Sequence, residues 1–368
     1  MLKKPISADS HITEPPNTYV EFIEPKFRER APKLVSLDAG DAFIIDGMQT
    51  PVMLGLLAAA GKNPAEITTG GVKFEELWKS GWDPKYRVAD QEKDGVAAEM
   101  IYPTVGMLLC NHPDYDYKKA CFEAYNRWLT GYCSGAPGRV FGLAQVSMRT
   151  PEDGVAELKA VKAQGFKGVM MPGDPGGNED YDSKAWDPVF ATAAELELPL
   201  SFHILTTKSG AMAQTPRGPR INGFLSIIRG CQDIMGTLIY GGVFDRHPKL
   251  KVVCAEADAG WVPHYMYRMD HAYKRHRYWM KAPPLEKLPS EYFAEHIHVT
   301  FQDDWVAFKT KDLVNVRRLM WASDFPHSDS TWPWSQAMLD EHAKDLSEQE
   351  RNWICHDNVA ELYKLEVN

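Results

Sequence analysis

The strongest constraint on this chain is its rhythm. Short apolar runs rich in Val, Ile, Met and Phe alternate with longer stretches of helical pattern from one end to the other. That alternation specifies parallel strands joined by crossover helices. Eight strands are expected, at Ile6–Ile12, Ala97–Pro103, Val140–Val146, Gly168–Pro172, Pro199–Ile204, Lys251–Ala257, His296–Gln302 and Leu319–Asp324. Several are almost continuously apolar, as strands covered on both faces must be. Eight such units predict an α/β fold, a (β/α)₈ barrel, and 368 residues suit one barrel domain over 1–368 with insertions.

Helices are expected at Pro151–Gln164, where Thr150 can cap and Pro151 opens the first turn, and at Lys184–Leu196 and Trp261–Met280. The stretch 13–96 is too long for a simple connection, and holds a hairpin signal at Asp46-Gly47 and tryptophans at 78 and 82. It is expected to be an insertion capping the barrel mouth. A second excursion, 205–222, carries Arg217 and Arg220 and is expected to be a loop on the same side.

Composition narrows the partners. With 41 Lys and Arg against 50 Asp and Glu, the formal charge is -9, without the basic surface that nucleic acid requires. No apolar run approaches the length of a membrane span, and the start resembles no secretory leader. The six cysteines are scattered without a Cys-x-x-Cys pair, which suits buried thiols and a cytoplasmic protein.

A barrel carries its chemistry at the C-terminal ends of its strands. Asp9 and His11 end the first strand, two residues apart and therefore on one face. His203 stands near the end of the fifth, Glu256 at the end of the sixth and Asp324 at the end of the eighth. Alone, Asp9 reads as a turn residue and His203 as a core histidine. Together, five ionisable groups on one mouth would be costly without a compensating cation. Imidazole plus carboxylate suits zinc, iron or manganese, as one or two ions. His327 follows Asp324 by three residues and is a further acid–base candidate; Glu14 is placed to orient His11. Trp78, Trp82, Trp332 and Trp334 fall on mouth loops, whereas His296 and His298 open the seventh strand, at the wrong end for chemistry.

Asp9-Ser-His-Ile-Thr-Glu-Pro, the strand-five His203, Phe244-Asp-Arg-His-Pro-Lys-Leu-Lys-Val-Val and Trp321-Ala-Ser-Asp-Phe-Pro-His together resemble the amidohydrolase-related family. That family includes aminocarboxymuconate-semialdehyde and resorcylate decarboxylases. The resemblance implies a metal-bearing (β/α)₈ barrel, with ligands falling on Asp9, His11, His203 and Asp324. The decarboxylases place a histidine on strand six where this chain has Glu256. A glutamate there is similar to dinuclear members of the family and can bind or bridge a second ion. The resulting expectation is a metal-dependent hydrolase of an amide, ester, thioester or related bond in a small molecule. Asp324 would be general base to a metal-activated water, with Glu256 and His327 assisting. The alternatives are a nonoxidative decarboxylase of a small aromatic or unsaturated acid, and a dinuclear iron oxygenase component. A homodimer, or pairing with a homologous subunit, is the expected assembly.

Overall fold

Eight strands form where apolar runs are bounded by turn residues. In the computed structural model, which describes residues 1–208 and 218–367, they are β1 (Ile6–His11), β2 (Ala98–Tyr102), β3 (Val140–Gly142, resuming as Ala144–Gln145), β4 (Val169–Met171), β5 (Leu200–His203), β6 (Val252–Ala255), β7 (Ile297–Phe301) and β8 (Leu319–Trp321). Nearly every residue in them is buried, which explains their unbroken apolar character.

All neighbouring pairs are parallel. β3 belongs to two ladders, pairing β2 through its first half and β4 through its second, so β1 to β8 form one continuous ribbon. The ribbon closes on itself. Asp324 N–H donates to the Asp9 carbonyl at 3.0 Å, and His11 N–H donates to the Phe325 carbonyl at 2.7 Å. These two bonds join the end of β1 to the chain just past β8, and the molecule is a (β/α)₈ barrel.

The crossover helices start where capping chemistry allows. Thr150 accepts from Asp153 N–H to open Pro151–Ala163, Asp114 accepts from Tyr117 N–H to open Tyr115–Ser134, and Asp83 accepts from Lys85 N–H to open Pro84–Asp94. The expected helix at 184 begins as a 3₁₀ turn and becomes α-helical over Asp187–Glu195; the one at 261 runs Val262–His276. Among the described residues, no helix is long and apolar enough to cross a membrane. All six cysteines are free thiols.

Within 13–96 lies a small antiparallel sheet of Lys33–Leu37, Gly40–Ile44 and Val52–Met53. Asp46-Gly47 turns the chain between its second and third strands, with Gly47 at φ +81°. The segment is tied to the loop after β8: Ala60 N–H donates to the Pro326 carbonyl and Ser328 N–H to the Leu56 carbonyl. The last part of this stretch, Pro84–Asp94, is the helix that runs into β2.

That helix delivers a large cation to the core. Arg87 is fully buried. Its guanidinium forks onto Glu99 of β2 at 2.5 and 2.9 Å, donates to the His11 carbonyl at 2.7 Å and reaches the Phe325 carbonyl at 3.2 Å. Gln91 also donates to Glu99, at 2.7 Å. A buried pair of this kind is held by its full set of hydrogen bonds, and losing one partner strands the other charge. Arg87→Met should therefore destabilise the protein by about 3–5 kcal/mol, and adding Glu99→Leu should recover part of the loss. Urea midpoints for the wild type, both single variants and the double variant measure this. A double variant no better than Arg87→Met would rule out the stranded charge as the cause.

Candidate metal centre

The mouth residues are brought together by strand ends and by strained backbone. Asp9 and His11 project inward from β1, His203 from the end of β5. Glu256 and Asp324 lie just past β6 and β8, with φ of +52° and +53°. Both occupy the left-handed region, which costs a non-glycine residue roughly 1 kcal/mol or more and is held only by its surroundings. The turn aims both carboxylates back over the barrel axis.

The distances are short. His11 Nε2 is 3.2 Å from Glu256 Oε2, 3.4 Å from Asp324 Oδ1 and 3.5 Å from Asp9 Oδ1. His203 Nε2 is 2.9 Å from Glu256 Oε2 and 3.7 Å from Asp9 Oδ2. The donor atoms fall into two overlapping groups, Asp9–His11–His203–Glu256 and His11–Glu256–Asp324–His327. Asp9, His11, His203 and Asp324 are wholly buried, and Glu256 is 13% exposed.

Both histidines are pinned from behind. His11 Nδ1–H donates to the Pro103 carbonyl at 2.8 Å and His203 Nδ1–H to the Ile204 carbonyl at 3.0 Å, since a carbonyl can only accept. Each Nε2 lone pair is thereby turned into the cluster, the arrangement of a metal-ligating imidazole. Asp9 Oδ1, His203 Nε2 and both Asp324 oxygens are buried with no hydrogen-bond partner. Buried polar atoms are rarely left so. Asp9 Oδ1 and His203 Nε2 belong to one donor group, and a divalent cation there would satisfy both.

Without a cation, protons must do that work. Burial lowers the pKa of His203, but the adjacent Glu256 and Asp9 outweigh it and hold it well above the usual imidazole value. Burial, then the charges of Glu256 and Asp9, push Asp324 well above the usual carboxylate range. Burial also works to raise Glu256, yet His203 and His11 beside it hold it low. His327 is pushed down by burial and by His11, on which it stacks at 3.9 Å.

Other residues singled out in the sequence fall differently. Glu14 does not reach His11; its Oε1 accepts from the N–H groups of Thr104 and Gly106 at 3.1 and 3.3 Å. Trp78 and Trp332 pack edge to face, Trp82 lies against Phe74, and Trp334 is exposed. Arg220 is exposed, and Arg217 lies outside the described residues. His296 Nδ1–H donates to the Leu250 carbonyl at 3.0 Å, and His296 sits with His298 at the opposite end of β7. Thr300 was not anticipated. Its hydroxyl donates to Asp9 Oδ2 at 3.1 Å and accepts from Glu256 N–H at 2.8 Å, tying β1, β6 and β7 at the site. A hydroxyl residue at the fourth position of β7, between Val299 and Phe301, was the available signal.

Comparison with known proteins agrees with this geometry. A family model described as amidohydrolase matches residues 78–365. The gamma-resorcylate decarboxylase of Rhodococcus jostii (strain RHA1) is 26% identical over 273 residues, covering 66% of this chain and 75% of that protein. The solved structure of an amidohydrolase from Mycobacterium avium subsp. paratuberculosis K-10 superposes with a TM-score of 0.78 at 23% identity, covering 98% of this chain and 99% of that one. The 5-carboxyvanillate decarboxylase of Novosphingobium aromaticivorans DSM 12444, complexed with manganese and 4-hydroxy-3-methoxy-5-nitrobenzoic acid, gives 0.70 at 20% identity, covering 98% and 96%. The expectation of hydrolysis is overturned by the gamma-resorcylate relative, which is named a decarboxylase, as is the 5-carboxyvanillate enzyme. It had rested on the absent strand-six histidine, and one missing imidazole does not remove the capacity to donate a proton where a buried carboxyl stands ready.

Metal binding should release protons. The metal-free cluster keeps His203 protonated above its usual range, and a cation requires its deprotonated form. Affinity should therefore rise with pH through neutrality and fall as the solution is acidified. Calorimetric titration of the metal-free protein with manganese, in buffers of different ionisation enthalpy, reads the proton count directly. Heats independent of buffer would contradict it.

Proposed function

Because the chain belongs to the amidohydrolase family, we propose that it is a metal-dependent nonoxidative decarboxylase of a small aromatic carboxylic acid. The observation that carries this reading is Asp324, a buried carboxyl without a hydrogen-bond partner, raised in pKa and set at the edge of the cluster. Replacing a ring carboxylate by hydrogen needs one thing above all, an acid that can reach carbon. A buried, uncompensated carboxyl is such an acid.

Asp9, His11, His203 and Glu256 would hold one divalent ion, and their two carboxylates and two imidazoles suit manganese as a harder ion. When bound, that ion supplies an anchor for the substrate carboxylate and a neighbouring ring oxygen. Asp324 delivers its proton to the ring carbon bearing the carboxylate. The carbon–carbon bond then breaks, its electron pair returns to the ring, and carbon dioxide leaves. The burial of Asp9, His11 and Asp324 excludes water from the reacting carbon. Thr300 holds the Asp9 carboxylate against rotation. The residues of 13–83, tied to the loop after β8, would cover the mouth of this single barrel domain.

The resemblance to the gamma-resorcylate and 5-carboxyvanillate enzymes supports hydroxylated benzoates as the substrate class. Manganese-loaded protein should release carbon dioxide from a member of a hydroxybenzoate panel and leave esters, thioesters and amides intact. Asp324→Asn should cut the rate by about 10²- to 10⁴-fold, the usual span for a general acid, while metal content stays near that of the wild type. Acyl hydrolysis without carbon dioxide release would overturn the reading.

A further inference from the structure

The end of β7 carries a polar side chain that the metal cluster does not use. Thr300 faces the barrel axis, since its hydroxyl bonds both Asp9 Oδ2 and the Glu256 N–H. Phe301 faces the other way and packs edge to face on Phe308 of the helix Trp305–Lys309, with 5.2 Å between ring centroids. The alternation of an extended chain returns the next side chain, Gln302, to the inner face, about 7 Å nearer the mouth than Thr300. Gln302 is 4% exposed, and its Nε2 is buried without a hydrogen-bond partner among the described residues. A primary amide nitrogen carries two donors, and burying them unpaired is costly.

The backbone is fixed on both sides of this amide. Thr300 is tied to β1 and β6 by the bonds just given. Asp304 locks the segment that follows: its Oδ2 accepts from the N–H groups of Ala259 and Gly260 at 2.8 and 2.6 Å, and its Oδ1 from Ala307 N–H at 3.1 Å. Gln302 is therefore presented from a short span held at either end, between the metal cluster and the rim.

We propose that Gln302 is a specificity-determining residue: its amide N–H groups donate to an oxygen substituent on the side of the aromatic ring away from the metal. The inference rests on the proposed function for the identity of the ligand. It narrows the substrate to aromatic acids carrying a ring oxygen besides the one next to the carboxylate. The ligand set lies one layer below Gln302, so a ring anchored there by its carboxylate has its far side at the level of the amide. A bare ring edge would leave the donors unpaired, whereas a hydroxyl or alkoxy oxygen accepts from them. A site built with a buried donor discriminates against the ligand that lacks the matching acceptor.

Nitrophenols test this without turnover, because the nitro group stands in for the carboxylate and cannot leave as carbon dioxide. Calorimetry measures the binding of 2-nitrophenol and its four singly hydroxylated derivatives to manganese-loaded wild type, Gln302→Met and Gln302→Leu. In the wild type at least one added hydroxyl should tighten binding by about 3- to 10-fold, the scale of one net hydrogen bond. Both variants should lose that gain while binding 2-nitrophenol at least as well. Their thermal midpoints should match or exceed that of the wild type, because an unpaired buried donor is removed; a residue serving the fold alone would lower them and leave the ligand preference intact. On the matching hydroxybenzoate the variants should raise KM by a similar factor, with kcat little changed. A gain that survives in either folded variant, or no gain from any hydroxyl in the wild type, overturns the proposal. A gain lost in the variants of a protein that releases no carbon dioxide from any hydroxybenzoate would sink the proposed function and leave the binding role standing. Carbon dioxide release with no hydroxyl preference would do the reverse.

Discussion

Three carboxylates and two imidazoles share a volume from which water is largely removed, and the rest of the site is built around that constraint. Each carboxylate taken from water unpaired would cost several kcal/mol. The buried Arg87 does not relieve this, because its guanidinium donates to Glu99 and to the His11 and Phe325 carbonyls. What remains is either protons or an added ion. The pinned Nδ1 atoms of His11 and His203, the left-handed backbone at Glu256 and Asp324, and the Thr300 bond to Asp9 all hold donor atoms where an ion would satisfy them. The left-handed backbone at Glu256 and Asp324 costs energy in the empty cluster, and with the hydrogen bonds it holds donor atoms in the preorganised geometry that a ligand needs.

The glutamate at the end of β6 shows why residue identity is a poor guide to reaction type. A histidine there and a glutamate there differ in charge and in proton affinity, yet the acid a decarboxylation requires can be supplied from another strand. Here the electrostatic asymmetry does the sorting. His203 and His11 stabilise the Glu256 anion, while Asp324 faces Glu256 and Asp9 and is driven toward its neutral form. Two carboxyl groups in one cluster are thus pushed apart in proton affinity, the separation that the proposed division into a ligand and an acid requires.

Much of the fold was legible because the signal is local and repeated. Apolar runs bounded by turn residues marked all eight strands, and capping residues such as Thr150 marked helix starts. Asp9, His11, His203, Glu256 and Asp324 were visible for the same reason, since polar residues stand out at the ends of apolar strands. Arg87 and Thr300 were not. Each is unremarkable in its own segment, and its role appears only through partners far off in sequence: Arg87 through Phe325, Thr300 through Asp9. Glu14 was noticed but assigned to the wrong neighbour, because proximity in sequence to His11 suggested a contact that the loop after β2 takes instead.

Closure of the barrel and assembly of the site are one event. The two backbone bonds that seal β1 against the segment after β8 run between Asp324 and Asp9 and between His11 and Phe325, so three of the four residues in the seam also face the cluster. Arg87 donates to the carbonyls of His11 and Phe325, which places its guanidinium across the same seam. A barrel opened here would lose its first and last strands' register and the donor geometry together. The coupling runs in the other direction too: an ion bound by residues of β1, β5 and β6 binds only the closed form, and its binding free energy adds to the stability of the closed barrel. The functional centre therefore also contributes to holding shut the fold that positions it.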